Sequence, residues 1–454
     1  MQKFLFFDYR EIEYADGFTR ELNQPVKHPA NPLFAADRPW ENGNMQLYGS
    51  VVKAPGRPFQ MWYSVIHKPF RIYLCYAESA DGLSWNKPEF DIYLHEGRKT
   101  NVVLNADAHG TAVIYDAAEP REDWRYKMVA GLEPSSCVCA LHSADGIHWQ
   151  RVTSPPVICA YPDCPMGLLR DRRGKYVAYH RFQPLTGRRV HRSESWDFRT
   201  WTNEPRIVLE PDAGDPPQVQ FYGMGAAPYG SYEIGTLWMF HTDVDEMGMG
   251  KMNGYQEAEL TYARSGYAWH RCAQGKPFIP HGAPGSWEAG NLQCASAPLY
   301  LENEIRYYYA ASEMRHKIHW ELYPQTAGLG MASLRPDGFI SLRAGAEPAR
   351  LLTVAFKPEA RQLFLNAVVE IGGSLKAELL DAAGATLEGF SEAQCVPVTG
   401  DNLAAPLRWR GAPALPEGQA VRVRLTGKKA DLYSIFAGAE QEKSAWWSFK
   451  SIRP

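Results

Sequence analysis

The sequence of 454 residues has no uninterrupted apolar segment of about 18 residues, the minimum that a membrane-spanning helix requires. It also has no excess of basic residues, because 48 Lys and Arg stand against 51 Asp and Glu and the formal net charge is −3. A protein that binds nucleic-acid phosphates carries a basic surplus. We therefore expect neither a membrane nor a nucleic acid as a partner.

Several chemical motifs are absent as well. The eight cysteines form no Cys-x-x-Cys pair and no Cys/His zinc spacing, which predicts reduced thiols, no metal and no cofactor. The sequence has no Ser-His-Asp order, no HExxH motif and no phosphate-binding glycine loop between a strand and a helix. The apolar run Phe4 to Phe7 is too short for the core of a signal peptide. We expect a cytoplasmic protein, or a secreted one if a leader peptide has been removed.

Aromatic residues and turn formers, by contrast, are abundant. The chain has 14 Trp, 24 Tyr and 19 Phe, together 13% of its residues, and also 38 Gly and 33 Pro. Aromatic residues fit the pleated surface of a sheet, and Gly and Pro are typical of turns. This composition favours many short strands over long helices.

A short motif recurs along the first three quarters of the chain. Each copy follows an alternating apolar segment, which indicates a strand, a tight Asp-Gly turn and an aromatic residue that opens the next strand. The aromatic positions are 52 to 70 residues apart, which leaves room for four strands per copy. The copies are SADGLSW at 79–85, SADGIHW at 143–149, SWDFRTW at 195–201, ARSGYAWHR at 263–271 and LRPDGFISL at 334–342.

These five copies predict an all-β chain with three parts. Residues 31–345 would form a five-bladed β-propeller of four-stranded blades. Residues 1–30 look irregular and would pack on the propeller as an N-terminal extension. After residue 345, Trp and Tyr become rare while Leu, Val and Ala alternate, which predicts a β-sandwich over residues 346–454.

The repeated turns followed by a sandwich resemble the five-bladed propeller glycoside hydrolases of families 32, 43, 62 and 68 and the related family 130 phosphorylases. The order of propeller and sandwich is most similar to family 32. Two motifs of that family are missing, since Asp37–Gly43 and Asp107–Gly110 stand where tryptophan–asparagine–aspartate–proline and arginine–aspartate–proline would be. Its glutamate–cysteine–proline motif is echoed by Asp163-Cys164-Pro165. The resemblance implies a funnel-shaped active site at one end of the propeller axis.

Glycosidases use two carboxyl groups that flank the scissile bond. The resemblance places such groups just before the inner strand of each blade, where the candidates are Glu41, Asp107, Asp163, Asp215 and Glu288. We expect Glu41 to act as base or nucleophile and Asp163 as general acid. Asp107 would orient the acid or tune its pKa, and Asp215 or Glu288 could take any of these roles.

Sugar sites combine aromatic platforms with planar hydrogen-bonding groups. The candidate substrate-binding residues near the same strand ends are Trp40, His109, His180, Arg181, Gln218, Tyr222, Trp287 and His316.

Together these features predict an exo-acting glycoside hydrolase for a fructofuranoside, an arabinofuranoside or a small oligosaccharide. One alternative is a phosphorylase similar to family 130, for which Arg181, Arg315 and His316 could supply a phosphate pocket. Another is a sugar-binding propeller without catalysis. The sequence leaves the oligomeric state, and retention or inversion, open.

Overall fold

The computed structural model describes residues 3–41, 45–67, 71–132, 137–152, 162–182, 187–202, 205–243, 253–316, 327–411 and 415–438. These residues form β-strands joined by turns, with one short 3₁₀ helix at Glu122–Trp124 and no α-helix. The predicted all-β class is therefore confirmed. In the same residues, no helix has the length and hydropathy to cross a membrane.

The chain divides into two compact units. The larger unit comprises Pro25–Leu299 and Arg306–Ser333, and the smaller unit comprises Met1–Gln24, Tyr300–Ile305 and Leu334–Arg453.

The chain begins with five short strands: β1 (Lys3–Leu5), β2 (Ile12–Asp16), β3 (Phe18–Leu22), β4 (Val26–Lys27) and β5 (Phe34–Ala35). The first three belong to the smaller unit, where each pairs with a strand from the C-terminal part of the chain. This differs from the irregular extension expected for residues 1–30. The physical reason is that the apolar run Phe4 to Phe7 is buried, which ties the segment into the smaller unit's core.

Three four-stranded antiparallel sheets follow in the larger unit. The first contains β6 (Met45–Lys53), β7 (Phe59–His67), β8 (Arg71–Ser79) and, after a separate hairpin of β9 (Phe90–His95) and β10 (Arg98–Thr100), β11 (Val102–Asn105). The second contains β12 (Ala108–Tyr115), β13 (Tyr126–Leu132), β14 (Cys137–Ser143) and β15 (Gln150–Arg151). The third contains β16 (Pro162–Arg170), β17 (Tyr176–Phe182), β18 (Arg189–Ser195) and β19 (Arg206–Leu209).

A ten-stranded sheet completes the larger unit. Its later strands are β20 (Val219–Tyr229), β21 (Tyr232–Thr242), β22 (Gly254–Ala263), β23 (Trp269–Arg271), β24 (Asn291–Cys294), β25 (Leu299–Tyr300), β26 (Ile305–Ser312) and β27 (Ala327–Leu334). The parallel pair Gln256–Asn291 joins β22 to β24, which divides the sheet into two halves. The N-terminal strands β4 and β5 pair antiparallel with β27 and so complete the second half.

The first strands of successive sheets lie next to one another. This holds for the three four-stranded sheets and for the two halves of the ten-stranded sheet. β6 packs against β12, β12 against β16 and β16 against β20. β24 packs against β6, and the backbone N–H of Ala226 in β20 donates to the carbonyl of Ser296, just after β24. These contacts join β6, β12, β16, β20 and β24 in a ring; we call these the inner strands and the centre of the ring the axis.

The repeated turns share one hydrogen-bonding pattern. The Asp81 carboxylate accepts from the backbone N–H groups of Ser84 and Leu83 at 2.8 and 2.7 Å, and these bonds lower the pKa of Asp81 to about 2. Asp145 and Asp197 accept the same pair of backbone bonds in the second and third copies. The sequence motif is therefore a locally encoded Asx turn.

The turns also join neighbouring sheets. In three places an aromatic side chain donates a hydrogen bond to the carbonyl of a turn glycine in a neighbouring sheet. The aromatic residue lies in the second strand of its sheet, and the glycine follows the third strand of the neighbouring sheet. Each glycine has a positive φ of 71 to 81°, a conformation that suits glycine. The donor–acceptor pairs are Trp62–Gly146, Tyr179–Gly266 and Tyr308–Gly82, at 2.7, 3.3 and 2.9 Å.

The smaller unit contains an eight-stranded sheet. Its C-terminal strands are β28 (Ile340–Ala344), β29 (Ala349–Thr353), β30 (Leu363–Asp381), β31 (Gly400–Pro406) and β32 (Val421–Ala437). β32 is the central strand, because it pairs with β1, β28, β29 and β30. Alternate residues of β32 are buried, as expected for a strand with one face on a core.

Candidate active site

Buried side chains fill the axis of the larger unit near the beginning of the inner strands. We call this cluster the axial plug; its members are Tyr48, Cys164, Met166, Tyr222, Trp238 and Phe240. The ring of Tyr48 stacks on Trp238, with centroids 5.4 Å apart, and lies 6.5 Å from the ring of Tyr222. Because Tyr48 belongs to β6 and Tyr222 to β20, which are not neighbours around the axis, their contact spans it.

Four inner strands change register at the level of the axial plug. β-Bulges of this kind redirect side chains and are frequent at barrel rims and beside active sites. Packing is also tight here, since a Cβ added to Gly223 would lie 1.7 Å from Sδ of Met166. The register shifts lie between Gln46 and Ser50, His109 and Thr111, Pro162 and Gly167, and Phe221 and Gly223.

Tyr222 has the largest set of polar neighbours in the axial plug. Its hydroxyl lies 2.9 Å from Nε2 of His316. The guanidinium groups of Arg181 and Arg188 lie 4.2 and 5.0 Å from the centroid of its ring, and both arginines are only 2% exposed. Arg188 also donates to Oε1 of Gln220 at 2.7 Å. The structure thus brings together two predicted binding residues, Arg181 and His316, around a third.

The opposite side of the axial plug carries amide groups. Gln293 Nε2 donates to Gln256 Oε1 at 2.9 Å and lies 3.4 Å from the Tyr48 hydroxyl. Burial raises the pKa of Tyr48 well above its usual range. The predicted binding residue His109 lies here too, with its ring 5.9 Å from that of Tyr48. Within the described part of the chain, Trp238 Nε1 and Gln256 Nε2 are buried without a hydrogen-bond partner.

His180 and Gln218 are not part of this cluster. His180 Nε2 lies 2.9 Å from the Ser193 hydroxyl, its ring stacks on His191, and burial lowers the pKa of His180 to about 3. Successive strand residues point to opposite faces, so His180 points away from the neighbouring Arg181. Gln218 is exposed just before β20, and its carbonyl accepts from the hydroxyl of Thr242. Arg315 forms an ion pair with Asp243 at 2.5 Å.

The predicted base or nucleophile, Glu41, is completely buried. One carboxylate oxygen accepts from the Tyr63 hydroxyl at 2.6 Å, and the other accepts from the backbone N–H groups of Asp37 and Arg38 at 2.8 and 3.0 Å. Lys87, whose side chain is 4% exposed, donates to the carboxylate at 2.8 Å. This is the geometry of a structural ion pair, with no carboxylate surface that a substrate could reach.

Glu288 repeats this arrangement in the second half of the ten-stranded sheet. Its carboxylate accepts from the Tyr309 hydroxyl at 2.8 Å and pairs with Lys27 at 2.8 Å. Trp287 stacks on Tyr309, with centroids 6.0 Å apart, and Asn31 donates to the Tyr309 hydroxyl at 3.0 Å. Glu288 is 9% exposed.

Trp40 occupies the position beside Glu41 that Trp287 occupies beside Glu288. Its indole nitrogen donates to Asn101 at 2.8 Å, and Asn101 in turn donates to the Tyr63 hydroxyl at 2.7 Å. The two Trp-Glu pairs are therefore copies of one tryptophan–glutamate–tyrosine–asparagine–lysine network. None of the contacts described for them reaches a residue of the axial plug.

Asp215 is likewise held in an ion pair. Its carboxylate accepts from Arg271 at 2.5 Å, and Arg271 also makes two bonds of 2.7 Å to Glu259. Arg271 lies in β23, the outer strand of its half-sheet, so this network lies away from the axis.

Asp163 is the candidate acid nearest to the axial plug along the chain, and Asp107 lies close to His109, whose ring is 5.9 Å from that of Tyr48. Asp107 precedes His109 by two residues, and its side chain is 27% exposed. It accepts from the backbone N–H of Ile72 at 3.0 Å, and Arg71 lies 3.5 Å away. Asp163 lies in β16 directly before Cys164, a member of the plug; the side chain of Asp163 lies outside the described residues.

Tyr48, Trp238, Arg188 and Gln293 are not among the predicted site residues, although their side chains are of the aromatic, cationic and amide types expected of a sugar site. A signal was available for Tyr48, because the apolar segment LYGSVV contains a glycine that breaks the strand pattern. We find no comparable local signal for the other three.

No known family model and no curated protein matches the sequence. Solved structures similar to this chain include one from a study of the GH130 family of mannoside phosphorylases, which contains glycoside hydrolases that target β-1,2-mannosidic linkages in Candida mannan. The two chains are 14% identical over 71% of this chain and 95% of the other, with a TM-score of 0.47. A glycosyl hydrolase from Bacteroides ovatus is 12% identical over 70% and 95%, with a TM-score of 0.49. The catalytic domain of the GH62 α-L-arabinofuranosidase of Coprinopsis cinerea is 11% identical over 70% and 97%, with a TM-score of 0.45. Glycoside hydrolases are thus among the structures to which this chain is similar.

Proposed function

We propose that the protein is an exo-acting glycoside hydrolase for a furanoside or a small oligosaccharide, with its active site at the axial plug. The larger unit would be a five-bladed β-propeller. Its blades would be the three four-stranded sheets and the two halves of the ten-stranded sheet. The smaller unit, with its long antiparallel strands β30 and β32, would be the sandwich.

The observation that carries this proposal is the axial plug with its four adjacent register shifts. In this proposal the filled axis would close the unit to a through-channel and leave a blind pocket at the entry end of the inner strands. A blind pocket accepts the end of a sugar chain, which favours exo action. Its aromatic rings and buried donors are the group types that bind sugars.

We assign the general acid to Asp163 from its place in the Asp163-Cys164-Pro165 motif at the beginning of the inner strand β16. Asp107 has the supporting role, since its carboxylate is partly exposed and its strand carries His109 to Tyr48. Glu41, Asp215 and Glu288 fit catalysis less well than the sequence suggested. Each is engaged in an ion pair, which is buried for Glu41 and Asp215 and partly exposed for Glu288.

A panel of nitrophenyl furanosides and pyranosides, together with short oligosaccharides, tests the proposal. Asp163→Asn should lower kcat by about 10²–10⁴-fold, the usual contribution of a general acid. Asp197→Asn is a matched control, because it makes the same change in an exposed turn of the same sheet, and it should leave kcat unchanged. If the unmodified protein cleaves none of these glycosides but binds sugars, the sugar-binding alternative replaces hydrolysis.

The phosphorylase alternative is supported by one specific observation, the two buried guanidinium groups of Arg181 and Arg188 beside Tyr222. Arginine pairs suit phosphate recognition. Turnover that requires inorganic phosphate and releases a sugar phosphate would favour this reaction. Turnover in phosphate-free buffer would favour hydrolysis.

A further inference from the structure

Assigning Asp163 as the acid leaves the proposed hydrolase without an obvious nucleophile. Glu41 has no exposed surface, and the carboxylates of Asp215 and Glu288 are held by Arg271 and Lys27. We propose that the nucleophile is the hydroxyl of Tyr222 and that His316 is its general base. This inference rests on the proposed function.

The geometry of the pair suits proton transfer. The Tyr222 hydroxyl lies 2.9 Å from Nε2 of His316, within the range of a nucleophile and its base. The backbone N–H of His316 donates to the carbonyl of Gly254 at 2.7 Å, and its ring packs 4.9 Å from that of Phe240. The imidazole is therefore held in place, while the residue keeps partial exposure to solvent.

Two cationic side chains lie beside the ring of Tyr222, where negative charge would develop during the reaction. Two guanidinium groups lie 4.2 and 5.0 Å from the centroid of its ring, and both are nearly inaccessible to solvent, where charge interactions are strong. A phenolate that develops on Tyr222 would therefore be stabilised by Arg181 and Arg188.

Two other buried tyrosines of the larger unit, Tyr63 and Tyr309, have a carboxylate next to the hydroxyl. The hydroxyls of Tyr63 and Tyr309 donate to Glu41 and Glu288. Burial and these neighbouring carboxylates raise the pKa of Tyr63 and of Tyr309 above the usual range. Tyr222 is thus distinguished by a histidine next to its hydroxyl, where Tyr63 and Tyr309 have a carboxylate.

The reaction balances as a double displacement. In the first step Tyr222 Oη bonds to the anomeric carbon, and the hydroxyl proton passes to His316 Nε2. At the same time the bond between the anomeric carbon and the leaving oxygen breaks, and Asp163 protonates that oxygen. In the second step Asp163 takes a proton from water, the water oxygen bonds to the anomeric carbon, and Tyr222 leaves and regains its proton from His316. The net change is addition of water with retained configuration.

Two measurements on the full-length protein test this assignment. The first compares Tyr222→Phe with Tyr176→Phe, a matched control in which a buried tyrosine of β17 loses a hydroxyl that donates to Asp116. Tyr222→Phe should lower kcat by at least about 10³-fold, as loss of a nucleophile does, and the control should not. The second measurement needs no variant: the unmodified protein is incubated with an activated 2-fluoro glycoside, digested, and searched for the modified peptide by mass spectrometry.

A glycosyl label on Tyr222 supports the assignment. A label on a carboxylate such as Asp107 overturns it, as does a Tyr222→Phe variant that keeps kcat within a few-fold of the unmodified protein. Because the labelling uses the unmodified chain, it decides the question even if Tyr222→Phe does not fold. Failure of the unmodified protein to cleave any glycoside is a different result, which removes the proposed function together with this inference.

Discussion

Replacing Glu41 with Gln should destabilise the protein far more than replacing Glu288, although the two networks have the same residue types. Glu41→Gln leaves the Lys87 ammonium without its carboxylate, and the side chain of Lys87 is only 4% exposed. Breaking a buried ion pair in this way costs about 3–5 kcal/mol. Lys27 is 22% exposed, so water can solvate it after Glu288→Gln, and we expect a cost of about 1–3 kcal/mol.

Urea unfolding, followed by tryptophan fluorescence, measures both effects as shifts in the midpoint. The double variant Glu41→Gln/Lys87→Met is the informative control, because it removes both charges and leaves none buried. It should recover part of the stability lost in Glu41→Gln. A recovery of this kind identifies the buried ammonium as the source of the loss.

An unchanged unfolding midpoint in Glu41→Gln would refute this reasoning. If that stable variant also lost hydrolysis, Glu41 would be the base or nucleophile that the sequence analysis expected. The comparison therefore separates a structural role of Glu41 from a catalytic one.

Three further predictions follow from the packing of the larger unit. Because the folded pKa of His180 is about 3 and its unfolded value about 6.5, its neutral form contributes fully above pH 6.5 and its contribution is lost as the pH falls towards 3. Relative to pH 7, the free energy of unfolding should fall by about 2 kcal/mol at pH 5. Thermal melts at pH 7 and pH 5 measure this loss, and His180→Phe should not show it. Gly223→Ala should cost about 1–3 kcal/mol in urea unfolding, because the new Cβ would overlap Met166, and Met166→Ala should relieve part of that cost. Trp62→Phe should cost about 0.5–1.5 kcal/mol, because the Gly146 carbonyl loses one of its two indole donors and keeps the bond from Trp149 at 3.0 Å, and an unchanged midpoint would show that the Trp62 bond contributes nothing.

The sequence predicted the parts of the fold that depend on neighbouring residues. The Asp81 turn is readable because its acceptor and donors lie within three residues of each other. The alternation of buried and exposed residues, together with the aromatic content, gave the all-β class. These signals are local, so no tertiary contact has to be known.

The candidate site depended on contacts that the sequence does not reveal. The sequence predicts a free acid at Glu41 because its partner, Lys87, lies 46 residues further along the chain. It predicts Tyr222 only as a sugar contact, since the partner His316 is 94 residues away. Asp163 as general acid and Asp107 as its supporting residue stay predictions, drawn from their places before inner strands.

The pairing of β4 and β5 with β27 has a consequence for biosynthesis. Asn31 bonds to Met331, 300 residues later, so the segment with β4 and β5 is made long before the strand with which it pairs. At about 5–20 residues per second, this segment waits about 15–60 s for its partner. Through that interval the open edge of the nascent sheets is available for wrong pairing. A circular permutant that places residues 25–35 directly after β27 would remove the delay, and it should give more soluble protein during expression at high temperature.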